Sequence, residues 1–354
     1  MRKASREFLF ELLQQPSPSG YEGPVREVWQ REAARHADRV EVDLHGNVIA
    51  VHNPEGQPRI MLAGHMDELG FQVVHISDDG YLYFDTIGGF DLSTVPARPV
   101  QVHARGGPVD GVIGKKPVHL MASDERRRVL EKQDLWIDIG AKDGKEARKL
   151  VEIGDPVTYR AEVGALRHNL IVSRGLDNKM GAWLAAETLR SVSRHRRRCR
   201  AALYAVATVQ EEVGLRGART SAYGIDPRVG IGLDVTWATD HPGMDKRKVG
   251  DIRLGGGPVI TRGANINPVV FARLREAAEC NKIPYQIDAA PGGTGTDANA
   301  IQLSRAGVAA GLVSVPQRYM HTPVETLSTE DLDNTVKLLT AFVVGLDGKT
   351  DFTP

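Results

Sequence analysis

The sequence alternates short apolar runs with longer segments of helical periodicity, and this alternation limits the folds open to the chain. The runs Ile60–Ala63, Ala201–Val209 and Val229–Leu233 contain few polar residues, as expected of strands that are buried on both faces of a sheet. The segments Asn178–Val192 and Val269–Glu279 carry apolar residues at helical spacing instead. Strands that alternate with helices predict an α/β fold, with a mostly parallel sheet covered by helices on both faces.

A long segment with a different residue pattern interrupts the alternation of strands and helices. It contains short strands of alternating polarity, such as Phe71–Ile76, with many glycines and prolines. Within it, the charged segment Ser123–Gln133 is predicted to be helical. We therefore expect two domains: an α/β domain made of residues 1–68 and 164–354, and a β-rich, barrel-like domain inserted at residues 69–163.

Charge and cysteine content exclude several classes of protein. The 354 residues include 45 Lys or Arg and 45 Asp or Glu, so no net charge attracts the chain to nucleic acid or to an anionic membrane. The basic run Arg194–Arg200 lies where a helix is predicted to end, a position where cations complement the helix dipole. The two cysteines exclude a disulfide framework and a four-cysteine zinc site. Because no apolar window approaches ~20 residues, we expect a soluble, cytoplasmic protein with no membrane or nucleic-acid partner.

Side chains of the kinds that bind metals follow five of the predicted strands. In chain order they are His65, Asp177, the pair Glu211 and Glu212, Asp234 and His321. Each has an ordinary structural explanation when taken singly, as a hydrogen-bonded histidine, a helix cap or a solvated strand end. The carboxyl ends of strands in an open α/β sheet are, however, where sites form. Such residues at five strand ends of one edge favour a shared site.

The set of donor atoms restricts the metal and its coordination. Two histidines and three carboxylates without a thiolate suit Zn²⁺ or Co²⁺, and also Mn²⁺. Two ions about 3.5–4 Å apart need a bridging carboxylate and terminal ligands on either side. Asp177 is the predicted bridge. His65 and Asp234 are the predicted ligands of one ion, and Glu212 and His321 are those of the other. Three carboxylates and one bridging hydroxide balance the four positive charges of the ions.

Two further acidic residues receive roles in this hypothesis. Adjacent residues of a strand point to opposite sides, so Glu211 need not be a ligand when Glu212 is one. Glu211 is then the predicted general base, which takes a proton from the bridging water and later passes it to the leaving amine. Asp67, two residues after His65, is expected to orient the imidazole of that ligand.

Several segments of the chain resemble the tetrahedral and glutamyl aminopeptidases, which are co-catalytic metallopeptidases of metallopeptidase family forty-two. In the α/β part the matching segments are Gly64–Glu68, Gly175–Lys179, Val209–Gly214, Leu233–Thr236 and Arg318–Glu325. In the inserted part they are Gly111–Gly114 and Lys116–Leu120. The order of ligand-type residues matches throughout, and the resemblance covers essentially the whole chain.

The resemblance implies the same residue roles and adds an assembly. His65, Asp177, Glu212, Asp234 and His321 correspond to the five ligands of two divalent ions, with Glu211 as catalytic base and Asp67 as the residue that orients His65. The family implies a cytoplasmic aminopeptidase that acts on peptides with a free N-terminus. It also implies a homo-oligomer, typically a dodecamer built from dimers, in which the inserted domain makes subunit contacts.

Two glycine-rich segments bear on the substrate. Residues 291–298 lack the lysine and the spacing of a nucleotide-binding loop, so their simplest interpretation is a tight turn in which Thr296 or Asp297 caps a helix. The family resemblance implies that this loop lines the substrate cleft. In residues 254–258, Gly256 stands where the family often has a basic residue, which puts a substrate contact from that position in doubt.

Three alternatives remain open at this stage. A related metal-dependent deacylase or carboxypeptidase would need a cationic pocket for the substrate carboxylate, and no arginine follows a strand in a suitable position. A glycosidase would use paired carboxylates but leaves His65 and His321 without a role. A metal-free interaction protein on the same fold would be expected to lack some of the ligands, and none is missing.

Overall fold

The computed structural model describes residues 1–354, whose strands form an 11-stranded sheet and a separate closed barrel. Numbered along the chain, the strands are β1 (Arg39–Val42), β2 (Val48–His52), β3 (Arg59–His65), β4 (Gly70–Ile76), β5 (Leu82–Ile87), β6 (Pro99–Ala104), β7 (Gly107–Lys115), β8 (Leu135–Asp138), β9 (Pro156–Tyr159), β10 (Gly164–Ala165), β11 (Leu170–Ser173), β12 (Ala202–Thr208), β13 (Val229–Trp237), β14 (Val259–Gly263), β15 (Gln286–Ala290), β16 (Ala309–Arg318) and β17 (Glu325–Ser328).

Helices connect most of the strands of the large sheet. They are α1 (Lys3–Gln14), α2 (Gly23–Ala33), α3 (Gly144–Leu150), α4 (Leu176–Ser193), α5 (Arg216–Ile225), α6 (Lys246–Val249), α7 (Pro268–Cys280), α8 (Asp297–Ile301) and α9 (Thr329–Gly345). None of these helices combines the length and the apolar character needed to cross a lipid bilayer.

The centre of the large sheet is parallel, as predicted. Strands β12, β3, β13 and β16 lie side by side in parallel pairs. The flanks are antiparallel: β1 and β2 extend one side, whereas β17, β11 and β10 extend the other. Strand β14 pairs with β16 outside this order and carries β15 at its free edge.

Successive residues of the central strand β3 pack into different cores, which confirms the two-sided burial expected from its apolar run. Ile60 and Leu62 belong to a cluster of 52 buried residues that includes residues of α1, α2, α4, α7 and α9. Met61 and Ala63 belong to a cluster of 12 that includes residues of α5 and α8. Because side chains of a strand alternate between the two faces, a strand covered by helices on both sides needs apolar residues at every position.

The second sheet closes into a six-stranded barrel in the order β4-β5-β8-β7-β6-β9. It has its own core of 15 buried residues, in which the rings of Phe71 and Phe84 meet edge to face with centroids 4.9 Å apart. The barrel strands run from Gly70 to Tyr159, within the predicted insertion of residues 69–163. The limits of the domains themselves stay a prediction.

The predicted helix at Ser123–Gln133 is wrong. The structure has only two three-residue 3₁₀ helices in this region, Glu125–Arg127 and Lys132–Asp134. Nearly all of the segment is exposed, so no apolar face packs against a core, and helices gain most of their stability from such packing. The α-helix of this part of the chain is α3, which begins where the Asp143 side chain accepts a hydrogen bond from the backbone N–H of Glu146.

Candidate metal centre

The predicted ligand residues meet at one edge of the large sheet. Strands β3, β12, β13 and β16 are parallel, and β11 has the same direction because β17 runs antiparallel to both β16 and β11. The carboxyl ends of all five strands therefore lie on one side. His65 is the last residue of β3, but Asp234 lies inside β13 rather than at its end. The reason is that β13 continues its pairing with β16 as far as Trp237 and Gln317.

Asp177 lies between the two histidines. Its Oδ1 is 3.4 Å from Nε2 of His65, and its Oδ2 is 3.4 Å from Nε2 of His321. One carboxylate thus presents a different oxygen to each imidazole, the arrangement that a bridging ligand requires.

Each of the two remaining predicted ligands lies near the histidine with which the sequence hypothesis pairs it. Oδ1 of Asp234 is 3.9 Å from Nε2 of His65, whereas Oε1 of Glu212 is 3.7 Å from Nε2 of His321. Ligand atoms of His65, Asp177 and Glu212 also lie within 4.8 Å of one another. The structure therefore brings all five predicted ligands into one cluster.

Glu211 is close to this cluster, and the reason given for separating it from Glu212 is wrong. Strand β12 ends at Thr208, and both glutamates lie in the turn that follows Gln210, whose φ is +55°. Alternation along a strand does not apply there, and both side chains line the same cavity. Oε2 of Glu211 is 3.7 Å from Nε2 of His65, and Glu211, His65 and Asp234 have ligand atoms within 4.8 Å of one another.

Asp67 is fully buried and contacts both the imidazole of His65 and the backbone of the two glutamates. Its Oδ1 is 3.4 Å from Nδ1 of His65, and its backbone carbonyl oxygen is 3.1 Å from the same atom. Oδ1 also accepts a hydrogen bond from the backbone N–H of Glu211, at 3.0 Å, and Oδ2 accepts one from Glu212, at 3.2 Å. The hydroxyl of Ser19 donates to Oδ2 at 2.7 Å. This side chain thus fixes the turn that carries both glutamates.

Glu325 supports the backbone near His321 in the way that Asp67 supports the backbone of Glu211 and Glu212. It was not among the residues predicted from the sequence. It is buried, and its two oxygens accept hydrogen bonds from the backbone N–H groups of Asp177 and His321, each at 3.1 Å. Its place within the segment Arg318–Glu325, which matches the family, was the available signal.

A buried ionic cluster next to the site, formed by Glu68, Arg174 and Lys179, was also not predicted from the sequence. Glu68 accepts hydrogen bonds from Arg174, from Lys179 at 2.8 Å and from the backbone N–H of Ser17 at 2.9 Å. Its three charged side chains are at most 6% exposed. The cluster joins the loop after β3 to the start of α4, where Asp177 lies.

The electrostatics of the cluster favour bound cations. Burial, together with the charge of Asp177, raises the pKa of both Glu212 and Asp234 to about 8, and burial raises the pKa of Glu211 to about 10. Burial alone would lower the pKa of His321, but Asp177 and Glu212 outweigh it and raise that pKa to about 9. The buried Oε1 of Glu212 has no hydrogen-bond partner. Crowded carboxyl groups of this kind gain from positive charge, so the residues fit divalent ions.

A cavity of about 610 Å³ opens from the cluster along the face of the sheet. Gly293–Thr296 of the 291–298 loop lines it, and Thr296 is the first residue before α8 but makes no capping bond with its side chain. Residues 254–258 do not line the cavity. The space beside Gly256 is filled by the side-chain amide of Gln286.

Comparison with known proteins agrees with this fold and site. Residues 46–338 match the family described as M42 glutamyl aminopeptidase. A lysyl aminopeptidase of Pyrococcus furiosus is 38% identical over 98% of this chain and 99% of its own length. The TET aminopeptidase from a marine sediment archaeon, Thaumarchaeota archaeon SCGC AB-539-E09, superposes with a TM-score of 0.92 at 33% identity and covers 97% of both chains. The Pyrococcus horikoshii TET1 peptidase, which can assemble into a tetrahedron or a large octahedral shell, has a TM-score of 0.84 at 35% identity, covering 95% of this chain and 98% of that one.

Fold, cluster and similarity together define a hydrolase of the metallopeptidase class. The chain belongs to the M42 family of aminopeptidases.

Proposed function

We propose that the cluster holds two divalent metal ions per chain and that the protein removes N-terminal residues from peptides. His65 and Asp234 would hold one ion, Glu212 and His321 would hold the other, and Asp177 would contribute one oxygen to each. The observation that carries this proposal is the contact of the two Asp177 oxygens with different histidines, each at 3.4 Å. Zn²⁺ and Co²⁺ suit the donors best, and Mn²⁺ is an alternative.

When bound, the two ions would supply Lewis-acid activation of the scissile carbonyl and of the water nucleophile. Glu211 is the group that accepts the proton of the attacking water and returns it to the leaving amine. Asp67 holds the backbone of Glu211 through the 3.0 Å hydrogen bond and so keeps its carboxylate in the cavity. Asp67 also contacts Nδ1 of His65 and so orients the imidazole, whose Nε2 would hold an ion.

The alternative activities are less well supported by the site. A deacylase or carboxypeptidase would need a cation for the substrate carboxylate, and the one Lys or Arg in the cavity wall, Lys248, is exposed. A glycosidase leaves unexplained why two histidines contact the same carboxylate. Hydrolysis of a peptide with a free amine, but not of its N-acetylated form, would separate the proposed aminopeptidase from a deacylase.

We propose that the protein forms a homo-oligomer, a dodecamer built from dimers with the barrel domain at subunit contacts. The tetrahedron or octahedral shell that the Pyrococcus horikoshii relative can form supports a homo-oligomer. Light scattering after size-exclusion chromatography checks it, and a monomer at micromolar concentration would contradict it. The cytoplasmic location stays a prediction, which cell fractionation checks.

The test of the metal centre combines elemental analysis with activity. Purified protein is expected to contain two divalent ions per chain, to lose activity on aminoacyl anilides after chelation, and to regain it on reconstitution. A chain that binds no divalent ion at saturating concentration, or one that keeps its activity after chelation, would overturn the proposal.

A further inference from the structure

The cavity extends from the metal centre along one face of the sheet to the edge strand β15. Apart from the residues of the metal centre, only two charged side chains line it, Lys248 on α6 and Asp288 on β15. They have opposite charge, and neither belongs to an ion pair within the protein. The preference for the N-terminal side chain of a substrate depends on which of the two that side chain meets.

The strand register places Asp288 on the face that carries the metal centre. Asp234 is paired with Ser314, Ser314 with Val259, and Thr261, two residues further along β14, with Asp288. Paired residues of neighbouring strands share a face, as do residues two positions apart in one strand. The carboxylate of Asp288 is therefore on the floor of the cavity, beyond the metal centre.

No cation of the protein neutralises Asp288. The side chain is half-buried, and its Oδ1 accepts a hydrogen bond from the backbone N–H of the next residue, Ala289. Arg262, the nearest basic residue on the adjacent strand β14, is paired with Ala289 and lies on the other face, where its guanidinium stacks 5.7 Å from the ring centroid of Phe271. A negative charge thus faces the cavity without a partner.

Lys248 is less able to select a substrate. It is exposed on the four-residue helix α6, whose other basic residues, Lys246 and Arg247, are paired with Asp251 and Asp245. A fully hydrated, flexible ammonium group interacts weakly, because water screens its charge. A carboxylate fixed on a strand and partly shielded from water interacts more strongly.

The distance along the sheet favours a long side chain. Strands β16 and β14 separate β15 from β13, the strand that carries Asp234. Apolar residues also line the cavity, among them Leu312, Ile252 and Trp237, and Leu312 belongs to β16, which lies between β13 and β14. The methylene stem of lysine or arginine packs well against such surface while its charged end reaches a polar group. A short side chain would stop before Asp288, and an acidic one would be repelled by it.

We propose that Asp288 is a specificity-determining residue that receives the cationic end of an N-terminal lysine or arginine. The substrates are then peptides that begin with a basic residue. This inference rests on the proposed aminopeptidase function, because it assumes that the N-terminal amine and the scissile carbonyl lie at the metal centre.

The test compares kcat/KM for lysyl, arginyl, leucyl and glutamyl anilides. The wild-type protein is expected to prefer the two basic substrates. Asp288→Asn should lower the ratio of lysyl to leucyl kcat/KM by about 10- to 100-fold, the value of a charged hydrogen bond, chiefly through KM. Asp288→Lys should shift the preference toward the glutamyl substrate. Asp79→Asn is a matched control, because Asp79 is exposed in the barrel part and lies outside the cavity, and it should leave the ratio unaltered.

The outcomes separate this inference from the proposed function. Wild-type protein that cleaves leucyl or glutamyl anilides best, or an Asp288→Asn variant that keeps the lysyl preference, would overturn the role of Asp288 while leaving the aminopeptidase intact. A glutamyl preference that disappears in Lys248→Ala would assign selection to Lys248 instead. Failure to cleave any free-amine substrate in the metal-loaded protein would be a failure of the proposed function itself.

Discussion

The two halves of the candidate metal centre are built in different ways. The His65 half, formed by His65, Asp234 and Glu211, grows from the centre of the sheet, and the His65 side chain is only 2% exposed. In the His321 half, formed by His321 and Glu212, the histidine lies in a loop after β16, has a φ of +62° and is 36% exposed. Packing of the core fixes the position of the His65 half. The His321 half depends on a loop with a strained backbone and on Glu325, so we expect the two proposed ions to be held with different affinities.

The largest effect is expected from Glu211→Gln, which removes the proposed base from the His65 half and keeps its shape. General acid–base catalysis contributes about 10²–10⁴-fold, so kcat should fall by that factor while two ions per chain remain. Elemental analysis and steady-state kinetics measure both. The matched variant Glu212→Gln should instead lose the ion of the His321 half. Turnover close to that of the wild type in Glu211→Gln would remove Glu211 from the mechanism.

Glu68→Gln tests whether the ionic cluster of Glu68, Arg174 and Lys179 stabilises the fold. It leaves Arg174 and Lys179 buried without their carboxylate, and breaking such a contact costs about 3–5 kcal/mol. The free energy of unfolding from urea denaturation should fall by that amount. Glu125→Gln is the control, because Glu125 pairs with Lys116 at an exposed site. An unchanged free energy of unfolding in Glu68→Gln would show that the cluster does not stabilise the fold.

The same cluster should make stability depend on acid. Burial alone would raise the pKa of Glu68, but the charges of Arg174 and Lys179 outweigh it and lower that pKa to about 2, below the 4.5 of a free glutamate. A carboxyl whose pKa is lower in the folded state stabilises the protein above its unfolded pKa. This contribution should therefore be complete above pH 4.5 and decline as the pH falls toward 2, and the decline should be absent in Glu68→Gln.

Asp67→Asn and Glu325→Gln compare the two halves directly. Each carboxylate uses both oxygens to accept backbone N–H groups, so an amide in its place leaves one N–H without an acceptor. Loss of such supporting contacts costs about 10–100-fold in metal affinity. In a competitive metal titration, Glu325→Gln should weaken the ion of the His321 half. Asp67→Asn should weaken the ion of the His65 half most, because Asp67 contacts Nδ1 of His65, and that of the His321 half less, because Asp67 also accepts the backbone N–H of Glu212. The comparison fails if both variants weaken the same ion equally.

The fold, and the five residues that meet in the cluster, could be predicted from the sequence because both follow from local patterns. Continuous apolar runs identify buried strands, and a ligand-type residue after each strand needs no knowledge of distant contacts. Glu68 and Glu325 could not be predicted in the same way, since the partners of Glu68 lie 106 and 111 residues away. The separation of Glu211 from Glu212 was argued from the geometry of a strand that has already ended at Thr208. Turns require backbone angles that an apolar pattern does not encode.

Ser19→Ala should give the smallest effect. It tests whether the hydrogen bond from Ser19 to Asp67 contributes to the stability of the His65 half. Ser19 donates a 2.7 Å hydrogen bond to Oδ2 of Asp67, which still accepts one from Glu212 when the hydroxyl is removed. We expect the free energy of unfolding to fall by about 1.5 kcal/mol, the lower range for a hydrogen bond to a charged group, and the ion of the His65 half to weaken less than in Asp67→Asn. Ser17→Ala is the matched control, because its hydroxyl lies 3.4 Å from Glu68 while its backbone N–H, at 2.9 Å, is kept. Equal losses in the two variants would mean that Asp67 gains no particular support from Ser19, and that the packing of β3 alone holds this half in place.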